Sequence, residues 1–264
     1  IYILIELKFI SLNNRNVHRM NVFGLHIEFN HDVFDNTVFT LIKERGKGYV
    51  CVIDANVLTM SRRDRNYQNV INAAYVNTCD GSSIASMVNI IYKTHYKAYN
   101  GPEIFGKYIE KPIRQLLLGN TQEKYNMIKT VLRDKNVDDT YLSYLPLPFI
   151  SVNDFNYEEI AKQINQIQAD IIWVSLGAPK QEIFMNKILP YIDKGVMFGI
   201  GAAFNFYIGE LNCPKIHIGS LRFIWLDRLY REPKKIWRRL FNYLKILPGL
   251  YLTEMKRKRK NNRD

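Results

Sequence analysis

A chain of 264 residues with 47% hydrophobic content can bury a full core, which excludes a disordered protein and suits one large α/β domain, alone or with an appendage. The net charge of +12 is unevenly placed: residues 220–264 hold 14 Lys and Arg against 4 Asp and Glu, while the remainder is close to balance. A nearly neutral body with a basic tail points to an anionic surface, either lipid headgroups or nucleic acid.

The chain begins with Ile1, and its first Met is Met20, so residues 1–20 are taken as an N-terminal extension. The apolar run Ile1–Ile10 is interrupted by Glu6 and Lys8, too short and too charged to span a bilayer. From there the pattern alternates strands with helices. A strand is predicted at Tyr49–Ile53, then a helix from Ala55 to Ala74 with Arg62, Arg63, Asp64 and Arg65 on its polar face. A short strand over Tyr75–Thr78 leads through Cys79-Asp80-Gly81 to a helix over Ile84–Tyr92. The strand Gln115–Leu118 ends at Gly119-Asn120, and a helix follows to Arg133. Residues Pro146–Val152 bridge to a helix over Tyr157–Gln168. Ile171-Ile172-Trp173-Val174 has no alternation and suits a strand covered on both faces; a helix follows it, with Pro179 at its first position. Gly195–Gly199 reads as another buried strand. Repeated strand-then-helix units predict an α/β fold: a mostly parallel, Rossmann-like sheet with helices on both faces.

In such sheets ligands gather at the carboxyl ends of strands. Five predicted ends carry polar residues or glycine: Asp54 with Asn56, Asp80-Gly81, Gly119-Asn120, Gly177 through Glu182, and Gly199 through Asn205. Asp80 is the sharpest of these. A carboxylate there can act as general base on a hydroxyl, with Gly81 admitting a ligand close to the backbone, or it can cap the helix that follows. Asp54 has the same two readings. The helix start after Gly177-Ala178-Pro179 is a ready phosphate site, with Lys180 adding positive potential; Glu182 either complements the helix dipole or orients a neighbour. Gly199-Ile200-Gly201 lacks a third glycine, because Phe204 occupies that place, so it does not complete a dinucleotide fingerprint. Cys51, Cys79 and Cys213 lie far apart, which argues for a reducing compartment and against a disulfide framework or a zinc site.

The tail differs in kind. Trp237, Leu240, Phe241 and Leu244 share one helical face, with Arg238, Arg239, Asn242 and Lys245 elsewhere around it. Pro248-Gly249 is predicted to end that helix, and Lys256 to Lys260 adds a polybasic run. A membrane-interface helix, a solvated charged face and a nucleic-acid tail all fit this pattern; the aromatic anchor favours the membrane surface.

The blocks Gly177-Ala178-Pro179-Lys180-Gln181-Glu182, Gly201-Ala202-Ala203-Phe204 and Trp225 to Pro233, with Asp80-Gly81 upstream, resemble the WecG/TagA/CpsF family of bacterial glycosyltransferases (glycosyltransferase family 26) from Asn21 to Leu240. The resemblance implies an inverting enzyme that moves an N-acetylmannosamine-type sugar or related hexose from a UDP-sugar to an undecaprenyl-diphosphate-linked saccharide, for surface polysaccharide or wall teichoic acid-type polymers. It implies no metal cofactor, no nucleic acid, and a peripheral place on the cytoplasmic face of the plasma membrane; self-association into a homo-oligomer is left open. Asp80 matches the proposed base, Gln181 lines the same pocket, and Arg228, with Arg231 nearby, would meet the departing UDP. Residues 21–219 would form the transferase domain and 220–264 the membrane-associating appendage. The chain departs from the family pattern at Asp54 and Asn56, at Ala98 beside Lys97, at Glu103 after the central Gly101, at Asn205 and at Ile224. Those positions surround the sugar pocket and bear on the donor sugar; they also keep a non-catalytic scaffold of the same fold as the alternative.

Overall fold

The computed structural model describes residues 20–211, 217–218, 221–222 and 233–261. Strands β3 (Lys47–Ile53), β4 (Val76–Cys79), β5 (Gln115–Leu118), β6 (Leu142–Leu145), β7 (Ile171–Val174) and β8 (Gly195–Gly199) form one sheet in the order β4-β3-β8-β7-β5-β6. Every pairing in it is parallel. Apart from the exposed Lys47 at the start of β3, its central strands are buried and without charge because both of their faces are covered, the expectation for parallel sheets.

Two apolar clusters cover those faces. Helices α1 (His31–Lys43), α5 (Gly101–Ile109), α6 (Gln122–Asp134) and α9 (Ala203–Tyr207) pack on one side, around Trp173, Phe198 and Phe105. Helices α2 (Ala55–Arg63), α3 (Arg65–Asn72), α4 (Ser82–Tyr92), α7 (Tyr157–Ile167) and α8 (Lys180–Ile188) pack on the other, around Tyr49, Ile172 and Met197. The helix leaving β5 and the helix leaving β7 therefore lie on opposite faces, although these strands are neighbours. That divergence opens a crevice at their carboxyl ends.

Several elements differ from the sequence expectation. The helix expected over residues 55–74 is broken at Asp64, whose extended backbone ends α2 and whose side chain accepts from Asn66 N (2.8 Å) and Tyr67 N (3.2 Å) to start α3. Pro179 is the N-cap of α8 rather than its first residue. Helices α1 and α5 and the hairpin β1 (Met20–Val22)/β2 (Leu25–Ile27) were not foreseen. The hairpin turns at Phe23 and Gly24, both at positive φ. A short pair, β9 (His217–Ile218) and β10 (Leu221–Arg222), lies near the domain boundary expected at residue 220, which itself falls outside the described residues.

The largest correction concerns the tail. Pro248 does not end the helix: α10 (Pro233–Asn261) runs through it for 29 residues. Proline forfeits one helical hydrogen bond, a loss that packing beyond it offsets. Leu250 is buried, and Ile246, Leu247, Tyr251 and Met255 lie against the core. Glu254, only 3% exposed, is the lock. It accepts from Phe23 N (2.9 Å) in the hairpin, from Tyr92 Oη (2.5 Å) in α4 and from Arg257 (2.6 Å). Arg257 also reaches Asn21, and Lys258 donates to Ile91 O, so part of the polybasic run is spent on the body. We predict that Glu254→Ala, by leaving these donors unpaired, costs about 3 kcal/mol in urea unfolding. It should speed amide exchange over residues 250–258; exchange unchanged there would show that the apolar contacts alone hold the helix.

Candidate active site at the carboxyl ends of the strands

The expected strand ends meet in one continuous arc. At its β4 end, Asp80 Oδ1 accepts from Gly101 N at 2.8 Å, so Asp80 braces the start of α5 and does not cap α4, whose N-cap is Gly81. A side chain on Gly101 would touch Ala203 and the Ile200 carbonyl, which places α5 against the loop after β8. In that loop Gly201 N donates to Gln181 Oε1 at 3.1 Å, and Gly177 N, in the loop after β7, donates to the same oxygen at 3.1 Å. Ser175 Oγ donates to Gly201 O at 2.8 Å, and Asn120 Nδ2 lies 3.4 Å from that hydroxyl, which carries the arc to the end of β5. Gly119, Asn120, Gly177 and Gly201 all have positive φ, which glycine accepts without strain and asparagine better than most residues. From β4 to β5 the arc crosses four strand spacings, ~19 Å.

Beneath it, Gln181 and Glu182 turn inward. Gln181 is 5% and Glu182 0% exposed, and Gln181 Nε2 donates to Glu182 Oε1 at 2.8 Å. Tyr67, from α3, donates to Glu182 Oε2 at 3.0 Å. Glu182 lies in the first turn of α8, as the helix-dipole reading requires, and it also orients its neighbour Gln181. Gly199 leaves the room this requires, since a Cβ there would lie 2.8 Å from Met185 Cε and 3.1 Å from Gln181 Nε2. Burial drives the Glu182 carboxyl up to about 7, against the hydrogen bonds from Gln181 and Tyr67, and the Asp54 charge adds to the rise. Burial also raises Tyr67, with Glu182 adding, so the phenol stays a donor.

Other expected residues serve structure. Asp54 caps α2, accepting from Val57 N at 2.8 Å, and Asn56 in its first turn reaches Met60 Sδ at 4.0 Å. Glu103 is exposed and exchanges hydrogen bonds with Asn100, the N-cap of α5. Lys180 is engaged by the loop after β6: it donates to Ile150 O and lies 5.4 Å and 5.1 Å from the Phe149 and Phe155 ring centres. Asn205 sits half-buried in α9, beside the arc. Arg228 and Arg231 lie outside the described residues.

Sequence reasoning missed the supports. Asp35, on α1, accepts from Tyr99 Oη at 3.0 Å, from Tyr108 Oη and from Lys107, while Tyr99 N donates to Cys79 O at 2.8 Å. The segment before Gly101 is thereby tied to the end of β4, beside Asp80. The available signal was a charged residue inside the apolar spacing Phe34, Val38, Leu41, which demands a buried partner. Among the described residues no group of three or more His, Cys, Asp or Glu side chains converges, and Cys51 and Cys79 are free and buried.

A parallel sheet with a topological switch, a carboxylate at one end of the arc and loops of positive-φ residues along it is the arrangement of open α/β enzymes, which take their ligands at such strand ends. A sequence profile described as "Glycosyl transferase WecG/TagA/CpsF family" matches residues 20–262, and the chain belongs to that family of glycosyltransferases. It is 22% identical over 215 residues, 78% of each chain, to the N-acetylglucosaminyldiphosphoundecaprenol N-acetyl-beta-D-mannosaminyltransferase of Bacillus subtilis (strain 168).

Glu182 gives the site a pH signature. From its ordinary 4.5 it rises to about 7 in the fold, so the folded chain keeps a proton that the unfolded chain releases. That stabilisation is complete below the unfolded value and is lost as pH rises through 7, a change of about 3 kcal/mol. Glu182→Gln should therefore flatten the stability profile between pH 5 and 8 in urea titrations. A slope equal to that of the unaltered protein would place the titration elsewhere.

Proposed function

We propose that the protein is an inverting transferase that moves an N-acetylmannosamine-type sugar or related hexose from a UDP-sugar to an undecaprenyl-diphosphate-linked saccharide, in the assembly of a surface or wall polymer. The reading is carried by Asp80, a carboxylate fixed by the Gly101 N–H at one end of the arc of strand ends whose other end is the β5/β7 switch point. An extended nucleotide-sugar, rather than a monosaccharide, matches that length. The name of the Bacillus relative supports both a mannosaminyl donor and a lipid-diphosphate acceptor.

In this reading the acceptor hydroxyl loses its proton to Asp80 as its oxygen attacks the anomeric carbon. UDP leaves from the opposite face, and the configuration inverts. The amides of Gly177 and Gly201 are bonded to Gln181, so leaving-group charge is assigned to cations, Arg228 first and Arg231 with it. No metal is assigned a role. The protein works on the cytoplasmic face of the plasma membrane as a peripheral enzyme, attached through α10. Trp237, Phe241 and Leu244 are exposed on that helix, and no helix among the described residues is long and apolar enough to cross a membrane.

Incubation with a panel of UDP-sugars and a lipid-diphosphate acceptor, with products identified by mass, tests the reaction; a panel without product would refute it. Asp80→Asn should retain UDP binding and lower turnover by about 10²–10⁴-fold, whereas normal turnover would leave Asp80 only its brace to α5. Activity should survive EDTA. Loss on chelation, restored by Mg²⁺ or Mn²⁺, would overturn the assignment of leaving-group charge to arginine.

A further inference from the structure

The sheet ends at β4, so the chain leaves its last strand with a neighbour on one side only. On the inner side Asp80 N donates to Ile53 O at 2.9 Å, which continues the pairing with β3. On the outer side the carbonyls of Asn77 and Cys79 accept from Glu28 N at 2.9 Å and from Tyr99 N at 2.8 Å. Two residues after Tyr99, Gly101 N donates to Asp80 Oδ1 at 2.8 Å. The segment from Tyr99 to Gly101 is therefore a clamp on Asp80, with one point on the backbone just before it and the other on its carboxylate.

Asp35, on α1, ties that clamp down. It is only 7% exposed, and its carboxylate accepts from the Tyr99 phenol at 3.0 Å and from Lys107 and Tyr108 in the last turn of α5. One side chain thus grips α5 near its end and the chain just ahead of its start. The Tyr99 ring is also set by α1, stacked on His31 at 4.2 Å and edge-on to Phe34 at 5.6 Å. Burial raises both phenols, with the Asp35 carboxylate adding to the rise, so they remain donors. Apolar side chains could fill this space without the cost of burying a charge, but apolar contact has no direction, whereas hydrogen bonds fix one.

We infer that Asp35 is a positioning residue for the general base: through the Tyr99 phenol it sets where the Gly101 N–H holds the Asp80 carboxylate. This rests on the reading of Asp80 as the base and adds to it a support on a separate helix.

The test uses the UDP-sugar and lipid-diphosphate acceptor that yield product in the panel above. Asp35→Asn keeps the size of the side chain and gives up its charge; Tyr99→Phe removes one donor and leaves the backbone contacts available. Either change should lower kcat by about tenfold with KM for the UDP-sugar within about twofold, because a misaimed base is felt in the transition state. Tyr108→Phe takes a donor from the same carboxylate about 10 Å along α5 from Gly101, and should lower kcat by less than about twofold. Beside Asp80→Asn, Tyr99→Phe should have no further effect on the residual turnover. If Asp35→Asn fails to fold, Tyr99→Phe decides. Equal losses in Tyr99→Phe and Tyr108→Phe, or a tenfold loss from Tyr99→Phe that persists beside Asp80→Asn, would reduce Asp35 to a structural tie and leave the base standing. Normal turnover in Asp80→Asn alone would remove the base, and the inference with it.

Discussion

One amide oxygen, Gln181 Oε1, accepts hydrogen bonds from the backbones of two loops that follow different strands. The rest of the crevice depends on this contact. It fixes the end of β7 to the end of β8, and through Ser175 the constraint passes to Asn120 beyond β5. The amide has no second orientation. Rotated by half a turn, its NH₂ would face two N–H donors and its oxygen would face the Glu182 carboxyl. Glu182 is in turn held by Tyr67, so a helix on one face of the sheet decides the geometry of loops above its edge.

That rigidity has a chemical consequence. The glycine amides, which at a helix start would suit phosphate, already have an acceptor within the protein. Anionic charge in the crevice must then be met by side chains, and Lys180, the cation nearest in sequence, is directed to Ile150 and the aromatic rings beside it. A family of reactions that expels a nucleoside diphosphate needs cations, and in this chain they are concentrated towards the C-terminus. The floor of the site is therefore closely hydrogen-bonded, and the proposed reaction has to draw its cations from elsewhere. Burying Glu182 is the stability cost of that arrangement, since a carboxyl whose charged form is disfavoured by burial works against the fold near neutral pH.

The centre of the parallel sheet was legible because β5, β7 and β8 are short, mostly apolar runs without alternation, and they match their sequence ranges residue for residue, whereas β6, Leu142-Ser143-Tyr144-Leu145, is interrupted by Ser143 and was not foreseen. Strand ends rich in glycine and polar residues marked the arc for a related reason: there the chain leaves the core, and Gly119, Asn120, Gly177 and Gly201 take positive φ. What sequence did not show was direction. Gln181 looks like a residue for a ligand until its neighbours Gly177, Gly201 and Glu182 are known, and Lys180 sits next to it yet is engaged by the loop after β6. Asp64 within a helical pattern read as a surface charge, although its side chain could equally start a new helix. Asp35 was invisible because its helix was not recognised, and its meaning comes from Tyr99 and Tyr108, more than sixty residues away.

The same limit governs the tail. Read as composition, residues 256–260 are a single block of charge, and Pro248 before them is a stop signal. On a helix, however, consecutive residues are turned by about 100°, so neighbours in a charged run face different surroundings. Arg257 and Lys258 are half-buried against the hairpin and α4, whereas Lys256, Arg259 and Lys260 are exposed. The inward pair helps hold the helix through its proline, and that hold is what presents Trp237, Phe241 and Leu244 outward at its other half. A wholly solvated polybasic tail would have more charge available to an anionic surface but no fixed apolar face to offer it. Holding two cations on the body fixes the direction in which the remaining charge and the apolar side chains are presented, and a fixed direction is what the proposed attachment to a lipid surface requires.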